Sequence, residues 1–392
     1  MALAFAAIIL NYVDRQMLAL LKPSLQAEFG WSERAYGHMA SAFQFASALA
    51  FLGAGWLIDR LGLRRGFALG VATWSLAAMA HALVASVAGF IGVRALLGAA
   101  EAIGTPAQVK TAATYFPERQ RTLMLGIGNM ASNLGAVAAP LAIPPLALAF
   151  GWRAAFLLAG GLGLVWVTAW LAVPAPAPVA RPPAETARRP ALRADRRLAA
   201  LIAAKMFSDN VWWFLLFFTP DLFHRRFGLS QGALGAPVAL VYAMAALGAL
   251  AGGWFPARLR ARGVSLDRAR KAPMLACALL ILAAPAVLLT ASPWAGAALL
   301  GLALFAHQGF STNVFALATD LFAPDLVGRA IGIAAFAGNL AGMAMIEAAG
   351  WSLDRGHGYA PLLIATGGSY LIGLALVQLC VPRLAPAPPT AG

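Results

Sequence analysis

The sequence predicts an all-α integral membrane protein with twelve transmembrane helices in two pseudo-symmetric six-helix bundles, and three observations lead there. Only 11% of the 392 residues are charged while 61% are hydrophobic, against a usual charged share of about 25%; a soluble fold could not hide that much apolar surface. The apolar residues come in nearly charge-free runs, such as FALGVATWSLAAMAHALVASVAGFIGV from Phe67 to Val93, and about 20 such residues suffice to cross the hydrocarbon core of a bilayer. The first half of the chain also recurs, altered, in the second. A transmembrane barrel would need alternating segments of about ten residues, and these are absent from the sequence.

The spans follow in order at 3–23, 37–59, 66–86, 88–114, 122–149 and 152–173, then 198–223, 232–257, 272–291, 293–322, 327–350 and 359–381. The first has no basic leader and no small-residue cleavage site and carries Asp14 and Arg15, so it reads as a retained helix and not a signal peptide. The second closes on Asp59, in the short turn GWLIDRLGLRRG (55–66). The third is the run from Phe67, and the fourth holds RALLGAAEAIG, with Arg94 and Glu101. The fifth follows FPERQR, and the sixth runs into VPAPAPVARPPAETARRPALRADRR, a Pro- and Arg-rich stretch read as a cytoplasmic linker. This divides the chain into an N-terminal bundle 1–173, a linker 174–197 and a C-terminal bundle 198–392. The seventh span carries Lys205 and Asp209 at the i, i+4 spacing of a self-contained pair, followed by Trp212 and Trp213. The eighth ends on a degenerate GWFPARLRAR (253–262); the ninth and twelfth contain the two cysteines, Cys277 and Cys380, with no disulfide or metal spacing. The tenth carries His307, Gln308, Ser311, Thr312 and Asn313, and the eleventh Asn339 and, near its outer end, Glu347.

The formal net charge of +14 would suit nucleic acid, but its placement has a simpler cause. With the N-terminus inside, most Lys and Arg fall in cytoplasmic loops or the tail, while Lys22, Arg34, Arg153, Arg225, Arg226 and Arg355 fall outside. That is the positive-inside asymmetry, and no nucleic-acid partner is expected.

The two halves match in several places and in order. FGWS (29–32) recurs as FGLS (227–230), GWLIDRLGLRR (55–65) as GWFPARLRAR, and FPERQRTLMLGIGNMASNLGA from Phe116 as FAPDLVGRAIGIAAFAGNLAG from Phe322. Parallel repeats of this kind describe transporters with a central site between their halves. The mismatches are also informative: Asp14 and Arg15 align with Trp212 and Trp213, Arg94 with Leu300, and Glu101 with His307. The first half concentrates charge; the second offers aromatics, amides and an imidazole.

Asn11, Asp14 and Arg15 share one broad face of the first helix, at i, i+3 and i+4. Arg94 and Glu101 lie nearly two turns apart on the fourth, at a separation of about 10 Å. One reading is a pair of structural ion pairs. Such pairs stabilise less well than apolar packing, so a functional reading is preferred: Arg15 and Arg94 present planar forks to a carboxylate, and a proton on Asp14 or Glu101 would release an arginine for an external anion. Gln44, Asn129, Asn133, His307, Asn339 and their polar neighbours could line a cavity for a polyhydroxylated molecule, although each alone is more often a helix–helix hydrogen bond. His307 is equally readable as a neutral histidine bonded to the next helix. Trp212 and Trp213 could face a sugar ring or fill a gap. Asp59 is unexplained by topology and could bond a helix N-terminus or pair with an arginine across a cytoplasmic gate, with Arg60 beside it. There is no G-x-S-x-G, metal cluster or phosphate loop, so an enzyme is not expected.

GWLIDRLGLRR resembles the G-x-L-x-D-R-x-G-R-[KR] signature of the major facilitator superfamily. NYVDRQ and RALLGAAEA resemble its anion:cation symporter family, and NYVDRQMLALLKPSLQAEFGWS, TAATYFPERQR and AFGWRAAF are most similar to bacterial hexuronate transporters. The resemblance implies alternating access and proton-driven uptake of galacturonate or glucuronate across the bacterial inner membrane, with both termini cytoplasmic. It implies no cofactor beyond the co-transported proton, and a monomer whose partners are a small organic anion and the lipid bilayer. Carried over, Asp14 and Glu101 match proton-coupling acids, Arg15 and Arg94 the carboxylate ligands, and Asn339 a substrate-side position. His307, Gln44 and Asn133 complete the expected binding set, and Asp59 and Arg60 the gate. Ser47 stands where the family's tyrosine near span two is sought, and GAVAAPLAIPP lacks the antiporter G-P-x-x-G-G signature, which favours symport. Rival readings are the same device with another anion, an aldonate or aromatic carboxylate, and a non-transporting membrane sensor.

Overall fold

The computed structural model describes residues 2–174, 192 and 194–384, without the side chains of 118, 119, 122, 123, 125, 129, 324 and 325. Most of the linker expected at 174–197, namely 175–191 and 193, therefore lies outside the described residues, as does the side chain of Asn129.

The described residues form thirteen α-helices and no strand. In the first half these are α1 Ala2–Phe29, α2 Glu33–Leu61, α3 Leu63–Ala80, α4 Val87–Glu101, α5 Gly104–Tyr115, α6 Glu118–Phe150 and α7 Trp152–Ala172. In the second they are α8 Arg196–Phe227, α9 Gly235–Ala261, α10 Leu266–Leu280, α11 Pro293–Leu321, α12 Pro324–Asp354 and α13 Ala360–Cys380. Short 3₁₀ segments extend α3 (His81–Leu83) and α10 (Ile281–Leu289). Among the described residues, 11 helical segments are long and apolar enough to cross a membrane. The 29-residue α11 is equally long but more polar, because His307, Gln308, Ser311, Thr312 and Asn313 interrupt it.

The fourth expected span is not one helix. It breaks after Glu101 into α4 and α5, because Pro106 has no N–H to donate to the carbonyl of Ala102 and its ring crowds that turn. The break sets Glu101 at a helix C-terminus, at the point where the side-chain chemistry is concentrated. The helices also run past the expected spans: α1 continues through Pro23 to Phe29, since backbone pairing does not stop where the apolar run does.

The sequence repeat has a backbone counterpart. Gly30 and Gly228, the glycines of FGWS and FGLS, end α1 and α8, both with φ of 64°, a left-handed conformation that costs glycine nothing. Tight helix pairing recurs as well. A Cβ on Gly98 of α4 would lie 2.2 Å from the carbonyl oxygen of Phe43 on α2, and one on Gly248 of α9 would lie 2.1 Å from that of Phe305 on α11.

The chain packs as two compact units. One contains α1–α7 together with Phe217–Ala239; the other contains α8 up to Leu216 and the chain from Leu240 onward. In the first, α1 packs on α6 and α7, α2 on α4, and α3 on α7. In the second, α11 and α13 both pack on α10 and its 3₁₀ extension. Large apolar side chains such as Leu83, Leu148, Leu250, Leu289 and Leu379 are exposed, whereas Asp14, Arg15, Arg94 and Glu101 are buried. That distribution suits a molecule whose surroundings are hydrocarbon.

Candidate functional site

In the first unit, the expected charged residues of α1 and α4 meet. Arg15 Nε and Nη2 each lie 3.0 Å from Glu101 Oε2, and Arg15 Nη2 also donates to Asn11 Oδ1 at 3.1 Å. The guanidinium sits 4.8 Å above the centre of the Tyr12 ring and 5.4 Å from that of Phe43. The i, i+4 spacing brings Asn11 and Arg15 together; the crossing of two helices brings Glu101. Gly98 lets α4 lie against the α2 backbone one turn before Glu101.

Arg94 is completely buried and under-used. Its Nη2 donates to the backbone carbonyl of Arg15 at 3.3 Å, while its Nε and Nη1 have no hydrogen-bond partner among the described residues. The rings of Phe43 and Phe217 lie 5.0 and 6.0 Å from its guanidinium carbon, contacts that help to hold a cation out of water. A guanidinium offers five N–H donors in a plane, so the free edge of Arg94 matches the two oxygens of a carboxylate. Nearby, Asp14 Oδ2, Glu101 Oε1 and Asn11 Nδ2 are buried and lack partners too. Arg15 is held by Glu101 across the two helices and by Asn11 along its own. An ionised carboxylate with an unpaired oxygen in such surroundings is expensive, and a proton or a bound cationic group would relieve it. Gln44 on α2 and Asn133 on α6 are buried in the same unit. Gln44 follows Phe43, and α6 packs on α1.

The second unit holds the expected C-terminal residues. His307 Nδ1 lies 2.5 Å from the hydroxyl of Tyr370 on α13, which also reaches the carbonyl of Ser208 on α8 at 3.3 Å. The imidazole stacks on Trp212, with ring centres 5.0 Å apart and planes inclined by 15°. Asn339 is buried on α12, and its neighbour Gly338 lies against Asp209. Tyr370 was not anticipated; a Tyr in the middle of the apolar run of the last span was the available signal.

Among the described residues, Asp59 pairs with Lys110 of α5, through a short contact to Oδ1. Arg60 lies over the Trp56 ring at 5.3 Å. A larger ion network was missed altogether. The ammonium of Lys22, fully buried, lies 2.5 Å from Glu33 Oε2 and 2.7 Å from Asp221 Oδ1. Arg225 bonds Asp221 Oδ2 at 2.8 Å and also Glu33. This ties α1, α2 and the C-terminal end of α8 within the first unit. The sequence places Lys22 and Arg225 on the outer side and gives Glu33 and Asp221 no role, so nothing in it singled out the network.

A family model described as Major Facilitator Superfamily matches residues 4–346. The chain is 27% identical to the D-galactonate transporter of Escherichia coli O6:H1, over 95% of this chain and 93% of that one. It is 26% identical to the hexuronate transporter of Escherichia coli K12, over 98% and 94%. A galacturonate transporter of Dickeya chrysanthemi is 32% identical over 42% of this chain and 47% of its own length. Among solved structures, a bacterial homologue of the human lysosomal transporter Spinster, inward-facing and occupied, superposes with a TM-score of 0.80 at 20% identity, covering 98% of both chains. The D-xylose–proton symporter gives 0.74 at 14% identity, covering 96% of this chain and 94% of that one. At these identities the structural likeness concerns the fold alone.

Proposed function

The chain belongs to the Major Facilitator Superfamily, and on that premise we propose that it is a proton-coupled importer of a sugar acid, a hexuronate such as galacturonate or glucuronate. The observation that carries this reading is the buried pair of Arg15 and Glu101 beside Arg94, whose Nε and Nη1 have no partner. Arg94 and Arg15 bind the substrate carboxylate. Glu101 is the counter-ion that Arg15 gives up: a proton on Glu101 cancels the charge that holds the guanidinium and frees its fork for the incoming anion. Asp14, with its unpaired oxygen, is the second proton acceptor. Binding and protonation then favour each other through one electrostatic exchange, which is the linkage a symporter requires. Asn339 and His307 read the hydroxyls, with Gln44 and Asn133 as further polar contacts, and Asp59 and Arg60 belong to the gate. The protein works by alternating access as a monomer in the inner membrane, with both termini cytoplasmic.

The test is uptake of labelled galacturonate into proteoliposomes under an inward proton gradient, repeated with a protonophore. Gradient-dependent accumulation is expected. Its absence in folded protein would reject the hexuronate assignment. Glu101→Gln should abolish proton-driven accumulation and leave counterflow measurable; equal loss of both would make Glu101 a structural or ligand-binding residue. The likeness to a D-galactonate transporter favours one alternative, the same device with an aldonate, and competition by galactonate separates the two.

A further inference from the structure

Lys205 and Asp209 have no part in the mechanism above, yet the structure gives them unusual company. Their side chains meet at 2.8 Å, and each is only about one-tenth exposed. A buried ion pair is a poor way to stabilise a helix bundle, because desolvation offsets most of its attraction. This one joins residues of a single helix, so it secures no helix to another.

What surrounds it comes from three other helices. From α12, the backbone presses on Asp209, for a Cβ on Gly338 would stand 2.5 Å from Asp209 Oδ2; Asn339 is the next residue. From α11 comes His307, stacked on Trp212, and Phe315, whose ring centre lies 4.9 Å from Lys205 Nζ. From α13, Tyr370 reaches both His307 and the carbonyl of Ser208, and Ser369 bonds Asn210 at 3.0 Å. Ser208 donates to Asp209 Oδ1 only at 3.3 Å. An ammonium has three N–H donors, and a carboxylate has about four acceptor sites; the pair itself uses one of each. What remains is two donors and about two acceptor sites a few ångströms apart, among aromatic rings. That set complements two neighbouring hydroxyls of a sugar, one accepting from the ammonium and one donating to the carboxylate.

We propose that Lys205 and Asp209 form a hydroxyl-reading subsite of the second unit that sets the stereochemical preference for the transported sugar acid. The proposal rests on the sugar-acid reading above and deepens it by naming residues that would read the hydroxyls. Gly338 is a positioning residue, which lets α12 approach the carboxylate of Asp209.

The experiment measures counterflow of labelled galacturonate in proteoliposomes, with unlabelled galacturonate and its C4 epimer glucuronate as competitors. It compares wild type, Lys205→Gln, Asp209→Asn, Gly338→Ala and the exchanged pair Lys205→Asp with Asp209→Lys. Substrate-induced change in tryptophan fluorescence, with Trp212 close to the pair, reports binding independently of transport. Loss of one charged hydrogen bond should weaken galacturonate about tenfold or more and bring the two epimers to equal potency in both single variants. Gly338→Ala should shift the epimer ratio in the same direction, and the exchanged pair should not restore it. Recovery of wild-type affinity and epimer ratio by the exchanged pair would make the ion pair structural and overturn the proposal. So would single variants that discriminate as wild type does. A wild-type protein that neither binds nor exchanges any sugar acid would reject the function on which the proposal rests, a result separable from loss of discrimination alone.

Discussion

Arg94 is the residue whose surroundings say most about its task. A side chain that is wholly buried and leaves Nε and Nη1 unbonded carries an unmet demand for a planar anion. Replacing it with lysine keeps the charge and removes the fork. Arg94→Lys should therefore raise the concentration needed for half-maximal counterflow about tenfold or more, with the protein still folded; unchanged affinity would assign the carboxylate elsewhere. Arg15 differs, because Glu101 and Asn11 already occupy it. The sequence named Asp14, Arg15, Arg94 and Glu101 as a group, since charge in an apolar run is conspicuous in one dimension. It left open which acid holds which arginine. That choice belongs to the crossing of α1 and α4, across 86 residues.

At the scale of elements, close approach and ionic ties decide the packing. The α2–α4 contact depends on Gly98, whose missing side chain admits the Phe43 carbonyl. Gly98→Ala should destabilise the protein by about 1–3 kcal/mol or more through overpacking and should disturb Glu101, one turn away; thermal unfolding in detergent, read with counterflow, tests both. Lys22 holds α1 to α2 and to the end of α8 through Glu33 and Asp221. Lys22→Met removes the ammonium from two buried acids that Arg225 also bonds, and breaking a buried pair costs about 3–5 kcal/mol. A marked fall in unfolding temperature is expected, partly reversed by adding Glu33→Gln. No fall would show that Arg225 suffices. Neither feature was legible in advance: Gly98 is one of 39 glycines, and Lys22 and Arg225 read only as charges on the outer side. The break between α4 and α5 was legible in principle, from Pro106, but hydropathy runs smoothly through it.

For the whole molecule, the charge distribution makes an orientation testable. Fusing a fluorescent protein to the C-terminus should give fluorescent cells, and fusing alkaline phosphatase there should give an inactive enzyme, if the tail is cytoplasmic; the opposite pattern would invert the topology. Membrane spans, the two related halves and the charged group of the first half were determined by the sequence alone. Each is written as local composition or as a repeat, and the hydrophobic effect reads composition directly. Membership of the superfamily followed from the same signals and is matched over residues 4–346. Only the tertiary structure decided the pairings: Arg15 with Glu101, Asp59 with Lys110, Lys22 with Glu33 and Asp221, and His307 with Tyr370. The reason is physical. Which residues face inward is set by polarity, a property of each residue, but which of them touch is set by where helices cross, and that depends on glycines, prolines and side-chain volumes summed over the whole bundle.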